Sequence, residues 1–280
     1  MTQIGKTIQI FLPDGNPRGL RVAEITSRTV SAVQIPRSKL DQAALRAELS
    51  GVGVYLLFGS DAAKPRVYIG EAENCLSRLK QHNKQKDFWA QAIAFISKTQ
   101  HFTKTHIKYL EWLCCDTAQR VNRFTLENGN TPSKPHVQES VEADLLDNFD
   151  SMQLLVSTLG YPVFDEIKKP DNAHLVFCKG KSADAEGEYS EEGLTVFKGS
   201  TCNLIGTPSL GNWAVSARAE LVDSGTLSEQ DGLLVFQEDH VFTSPSTAAV
   251  VVLARQANGW LEWKYKSGKT LDEVVRQSPR

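Results

Sequence analysis

The chain has 280 residues, of which 41% are hydrophobic and 23% charged, and a formal net charge of −2 at pH 7. Such a length suits two domains, each able to bury its own core, and the balance is that of a soluble globular protein rather than one coated in positive charge. No stretch approaches the roughly 18 consecutive apolar residues that a membrane span needs.

KTIQIFL, LRVAEI and TVSAVQI read as three strands, the first two joined by the turn DGNPRG. They form a β-rich lead-in over residues 1–50. Its start, MTQIGKTIQIFLPDGN, lacks the basic cluster and long apolar segment of a secretory signal, so the expected location is the cytoplasm. PRSKLDQAALRAEL predicts a helix capped by Ser38 and ending at SGVG. GVYLLF and RVYIG follow as two strands of a hairpin, with SDAAKP between them. NCLSRLKQHNKQ predicts a helix capped by Asn74, with Leu76 and Leu79 on its buried side and Arg78 and His82 one turn apart on another.

QAIAFIS is a further strand, and TKTHIKYLEWLCCDTAQRV has the spacing of an amphipathic helix through Ile107, Leu110, Leu113 and Cys114. Glu111 sits at the edge of its inward face. RFTLENGNTPSKPH is a strand running into a Gly and Pro loop, and VQESVEADLLDNFDSMQLLVSTLG is a long acidic helix stopped by Gly160. YPVFDEIKKPDNA reads as a linker. Beyond it, HLVFCKG, LTVFKG, LLVFQED and WLEWKYK are strand candidates, and DAEGEYSEEG is an exposed acidic loop. Helices are expected over Leu210–Leu221 and Pro245–Ala254, the second capped by Ser244 with Pro245 in its first turn. The fold class is α+β, with a lead-in over 1–50, a central domain over 51–135, an acidic helix and linker over 136–169, and a second small α+β domain over 170–280.

The five cysteines, Cys75, Cys114, Cys115, Cys178 and Cys202, form no CxxC pair. Neither a disulfide framework nor a zinc ribbon is suggested, and no disulfide-linked partner is expected. Charge is segregated along the chain. From Asn74 to Leu110 seven Lys and Arg stand against the single acid Asp87, whereas from Gln138 to Glu166 there are seven acids and no Lys or Arg. Such segregation suits a surface that faces a polyanion, and it also suits two solvated helical faces of opposite sign.

The order of the elements carries the chemistry. A strand with Gly53, Val54 and Tyr55, a strand with Tyr68, Ile69 and Gly70, a helix with Arg78 and His82, a strand, and a helix with Glu111 together resemble the GIY-YIG nuclease family over roughly Gly51 to Pro135. The resemblance implies a three-stranded antiparallel sheet flanked by helices that cuts DNA with one divalent ion, Mg²⁺ or Mn²⁺. It implies that Glu111 holds the metal, that Arg78 braces the scissile phosphate, and that Tyr55 takes a proton from the attacking water, with Tyr68 orienting that water or sharing the task. His82 either assists proton transfer or touches phosphate, or lies on the helix surface.

These residue types suit the chemistry independently. Phosphodiester cleavage needs a nucleophilic water, a sink for charge on the nonbridging oxygens and help for the departing oxygen. A planar guanidinium matches two phosphate oxygens better than an ammonium does. Glu71, directly after the second motif, is either a further metal contact or points away, and ENGN offers both Asn128 and Asn130 for a family asparagine. FTSPSTAAVVVLARQANGWLEWKYKSGKTLDEV is similar to a domain of unknown function often attached to such nucleases, and more distantly to the RAMA domain. There Trp260, Trp263 and Tyr265, with Arg255 and Lys264, either stack on bases or build a small core. The expected function is a metal-dependent DNA endonuclease, or alternatively a nucleic-acid-binding protein of the same fold that cuts slowly or not at all.

Overall fold

The computed structural model describes residues 5–60, 64–166 and 174–277. It divides into two compact units, Met1–Glu166 and Ile167–Arg280. Both mix helices with a largely antiparallel sheet, as the α+β class requires. Among the described residues no helix is long and apolar enough to cross a membrane.

The first unit begins with β1 (Ile8–Phe11), β2 (Arg21–Ile25) and β3 (Val30–Pro36), followed by the short α1 (Leu40–Ala43). The hairpin of β4 (Gly53–Ser60) and β5 (Pro65–Ala72) leads to α2 (Cys75–Gln85), β6 (Gln91–Ser97), α3 (Lys104–Val121), β7 (Thr125–Leu126) and α4 (Glu139–Thr158). All seven strands belong to one sheet in the order β1-β2-β3-β6-β4-β5-β7. The three strands expected of the central domain, β4, β5 and β6, are therefore continuous with the lead-in. The reason is β3, which is buried along its whole length and pairs with β6 from Val30↔Ser97 to Pro36↔Gln91.

The acidic helix also belongs to this unit. Leu145, Phe149, Met152, Leu155 and Val156 of α4 are buried in the same core as Val54, Leu56 and Phe95, while α4 lies against β2 and β3. Two of its acids are paired: Asp147 with Arg28, and Glu142 with Lys134. In the expected linker YPVFDEIKKPDNA, Val163 and Phe164 are buried in that core, whereas residues 167–173 lie outside those described, as do residues 61–63 of the SDAAKP loop. The helix expected after Pro36 is broken into a 3₁₀ turn, α1 and a second 3₁₀ turn, with no cap from Ser38. Arg46 is extended there, and its Nε donates to Glu48 at 2.8 Å.

The second unit contains β8 (Leu175–Lys179), β9 (Asp184–Ser190), β10 (Gly193–Val196), β11 (Thr201–Asn203), α5 (Asn212–Asp223), β12 (Leu227–Gln230), β13 (Leu233–Phe236), β14 (His240–Phe242), α6 (Pro245–Leu253), α7 (Gly259–Glu262), β15 (Lys264–Tyr265) and α8 (Leu271–Val275). The segment DAEGEYS, expected as a loop, is the strand that joins this sheet, since β9 pairs with β8, β10 and β11. Its buried residues Ala185 and Gly187 alternate with acids, so the period of two is present but written in residues too small to read as apolar. WLEWKYK, expected as one strand, splits into α7 and β15.

The helix α6 is apolar nearly all round and almost wholly buried, as its sequence demands. Ser244 caps it by accepting from the Thr247 amide at 3.1 Å, with Pro245 at its start. Trp263 is fully buried, and its indole N–H donates to the Pro245 carbonyl at 3.1 Å. It is therefore a core residue rather than a stacking platform. Replacing it with Ala should lower unfolding stability by about 3 to 5 kcal/mol, the usual cost of emptying a buried Trp site. Chemical denaturation of the full-length protein checks this, and a loss below about 1 kcal/mol contradicts it.

Candidate active site

Residues 53–55 and 68–70 lie on the paired strands of the β4–β5 hairpin and meet at one position. Tyr55 stands opposite Gly70 in the register. A Cβ added to Gly70 would lie 2.3 Å from the Tyr55 Oη, and one added to Gly53 would lie 2.3 Å from the Phe95 carbonyl oxygen. Both glycines are thus fixed by close approach, the first by the phenol laid across it and the second by the backbone of β6. Side-chain alternation then sorts the motifs onto two faces. Tyr55, Leu57 and Tyr68 lie with the α2 side of the sheet, whereas Val54, Leu56 and Ile69 lie with the α3 and α4 side.

The helix α2 starts where Asn74 Oδ1 accepts from the Ser77 amide at 2.9 Å. Its buried residues are Cys75, Leu79 and His82, so His82 faces the sheet rather than the helix surface. Only 2% of His82 is exposed, and Tyr55 is fully buried. The Tyr55 Oη lies 2.8 Å from His82 Nε2 and accepts from Arg78 Nε at 3.3 Å. The guanidinium can only donate, so the phenol oxygen accepts from it, while the direction of the Tyr55–His82 bond follows the imidazole tautomer. His82 Nδ1 is buried without a hydrogen-bond partner among the described residues.

Burial, reinforced by the positive charges of Arg78 and Lys86, lowers the His82 pKa to about 4. Burial and the neighbouring Tyr68 push the ionisation of Tyr55 well above the ordinary phenol range, and the Arg78 hydrogen bond only partly opposes them. The resting arrangement is a guanidinium, a neutral phenol and a neutral imidazole in one hydrogen-bonded chain. Tyr68 is half-buried beside it, its ring 5.1 Å from that of His82, with Lys86 Nζ 4.4 Å from the Tyr68 ring centroid.

Glu111 approaches from α3. Its carboxyl is raised above the usual carboxylate range, first by burial and then by the charge of Glu71, while the Glu71 backbone, Lys108 and Arg78 pull it back down. Glu71 at the end of β5 thus acts electrostatically on the Glu111 carboxyl of α3. Arg78 links the two faces, bonded to Tyr55 on one and acting electrostatically on Glu111 on the other. Among the described residues no group of three or more His, Cys, Asp and Glu is arranged to hold a metal. A magnesium-type ion needs only one or two carboxylates with water completing its shell, and a cation here would relieve the repulsion between Glu71 and Glu111. The residues fit such an ion.

Asn128 and Asn130 are now distinguished. Asn128 clasps the backbone of Ile69, its Oδ1 accepting from the Ile69 amide at 3.0 Å and its Nδ2 donating to the Ile69 carbonyl at 2.7 Å. It extends by one side chain the parallel pairing of β7 with β5. Asn130 is exposed. Of the basic residues between Asn74 and Leu110, Lys104 is paired with Glu73 at 2.8 Å and Lys98 with Glu24 at 3.2 Å, so the free positive charge is smaller than the sequence count. The positioning roles of Gly70 and Asn128 were missed in the sequence. A glycine placed opposite a strand tyrosine was the available signal for the first.

Residues 176–275 match the model of a domain of unknown function, DUF4357. This match falls in the second unit. No GIY-YIG nuclease model and no RAMA model matches, so the resemblance drawn from residues 51–135 does not place the chain in that nuclease family. The motif glycines have local causes, the Tyr55 phenol at Gly70 and the Phe95 carbonyl of β6 at Gly53, and the sheet around them has seven strands. No curated protein and no solved structure matches the chain.

The buried imidazole gives a pH signature. An unfolded His takes up a proton near 6.5, whereas His82 in the folded protein resists it down to about 4. The unfolded chain binds the extra proton in that window, so this contribution is complete above about pH 6.5 and is lost as pH falls towards 4. The melting temperature should fall on acidification across this range, and less steeply in His82→Gln than in the wild type. Parallel pH dependences in the two proteins contradict the assignment.

Proposed function

We propose that the first unit hydrolyses phosphodiester bonds of DNA with the help of a divalent ion, Mg²⁺ or Mn²⁺. The observation that carries this reading is the position of Arg78, hydrogen-bonded to a Tyr55–His82 pair and acting on the Glu111 carboxyl. On this reading Arg78 is the phosphate-matching cation, with a proton acceptor on one face of the sheet and, within its electrostatic reach on the other, a carboxylate that would hold the ion. A divalent ion held by Glu111, with Glu71 beside it, would supply charge neutralisation for the phosphate and the departing oxygen.

The side chains have distinct parts in this chemistry. Arg78 orients the phosphate through the remaining N–H groups of its fork. Tyr55 receives the proton of the attacking water as its own proton passes to His82, so no free phenolate is needed. A phosphate anion between Arg78 and Lys86 offsets the two charges that depress the basicity of His82. The imidazole thus becomes a better base when substrate is bound. Tyr68, with Lys86 over its ring, borders the same space.

A second reading, a nucleic-acid-binding protein that cuts slowly or not at all, is favoured by the full burial of Tyr55 and the near-complete burial of His82. The five free, buried thiols suit a reducing compartment and support a cytoplasmic location.

Gel assays of the purified full-length protein on single-stranded, duplex and branched DNA, with Mg²⁺, Mn²⁺ or EDTA, test the proposal. Metal-dependent cleavage is expected. Glu111→Gln should abolish it with folding intact, and Arg78→Ala should slow it about 10²-fold or more, the usual value of a charge-stabilising donor in a reaction site. DNA binding without cleavage under every metal condition would favour the second reading, and a loss below about threefold in Arg78→Ala would remove Arg78 from the chemistry.

A further inference from the structure

The second unit carries a concavity with a different composition. It has a volume of about 550 Å³ and lies where β8 meets β15, within the ~300 to 1,000 Å³ range of small-ligand sites. Along β8 the residues alternate, so Val176 and Cys178 enter the core while Leu175, Phe177 and Lys179 line the concavity. Lys264 stands opposite Phe177 in the register and Tyr265 opposite Val176.

This wall is held by a tight hairpin. The Tyr265 amide donates to the Lys269 carbonyl at 2.9 Å and the Gly268 amide to the Tyr265 carbonyl at 2.8 Å. Gly268 has a φ of +86°, which a residue with a side chain rarely adopts. The site therefore has an apolar floor of Leu175 and Phe177 below a rim of lysines, with Tyr265, which pairs with Val176 and packs on the core, at its wall. Lys179 is engaged with Asp184 at 3.3 Å, whereas Lys264 and Lys266 have no ion pair among the described residues. The one carboxylate in the lining, Glu262, is held by Arg255 at 2.7 Å through Oε1, which leaves Oε2 as an acceptor at the edge.

We propose that this concavity binds one unpaired nucleotide of a single-stranded nucleic acid, its base on the Phe177 floor beside Tyr265 and its flanking phosphates on Lys264 and Lys266. An aromatic floor with a cationic rim is what a base and its phosphates require together. A base inside a paired duplex cannot reach such a floor, so the occupied form is single-stranded or locally unpaired. Glu262 adds selectivity, because a carboxylate accepts from the exocyclic amine of cytosine or adenine and thymine offers none. An acidic peptide would satisfy the lysines but would use neither the floor nor Glu262. The site lies wholly within the second unit, and the proposal does not depend on cleavage by the first.

The test uses the full-length protein and short oligonucleotides of dC or dT, one dC oligomer carrying a photoreactive 5-iodocytosine. The expected results are a cross-link to Phe177 or Tyr265 found by peptide mass spectrometry, and tighter binding of dC than of dT. Lys264→Glu combined with Lys266→Glu should weaken dC binding at least tenfold, and Glu262→Gln should reduce the preference for dC over dT. Melting curves verify the fold of each variant, and Lys264→Gln with Lys266→Gln serves if charge reversal unfolds the unit. Absence of a cross-link to either aromatic residue, unchanged affinity in the folded lysine variants, or displacement of dC by poly-glutamate as effectively as by unlabelled dC would each overturn the proposal.

Discussion

The arrangement of the first unit depends on the contact of the Tyr55 phenol with Gly70. A phenol lying across a neighbouring strand leaves no room for a Cβ there, and in exchange it is fixed under α2 where Arg78 and His82 can reach its oxygen. The hydroxyl needs partners because it is buried, and it finds a donor in the guanidinium and a second partner in the imidazole. The same burial keeps both Tyr55 and His82 neutral. Packing, hydrogen bonding and protonation state therefore have a common origin in one cross-strand pair.

The other half of the site lies on the opposite face. Successive residues of β5 point to opposite sides, so Gly70 lies under the phenol and Glu71 turns towards Glu111 on α3. Asn128 holds this strand by both backbone groups of Ile69, one residue before Gly70. The end of β5, where Glu71 acts on the Glu111 carboxyl, is thus tied to its neighbour.

Much of this was legible in the sequence, and the exceptions have physical causes. Strands β4, β5 and β6 and helices α2, α3, α4 and α6 could be read from periodicity, with Asn74 and Ser244 marking the starts of α2 and α6. The strand β9 was hidden because its inward residues are Ala185 and Gly187, and acids fill the positions between them. The continuity of β3 with β6 could not be read, since pairing between strands some 60 residues apart leaves no local mark. At the site, the five candidates Tyr55, Tyr68, Arg78, His82 and Glu111 were named from their order alone. That order was also read as a family resemblance, which the comparisons did not uphold. The sequence left His82 open between a site role and the helix surface, and its burial against the sheet decides for the inward face.

The proposed function requires Arg78 to join two faces of the sheet into one cation-binding, phosphate-binding site, and the group that reports on it most directly is the Glu111 carboxyl. Its titration can be followed by carbon-13 NMR in full-length protein labelled at glutamate, with Glu111→Gln used to assign the signal, in the absence and presence of Mg²⁺. The account predicts a midpoint above the ordinary glutamate value of about 4.3 in the free protein and a clear fall when Mg²⁺ is added. An ordinary midpoint that Mg²⁺ leaves unchanged would contradict it.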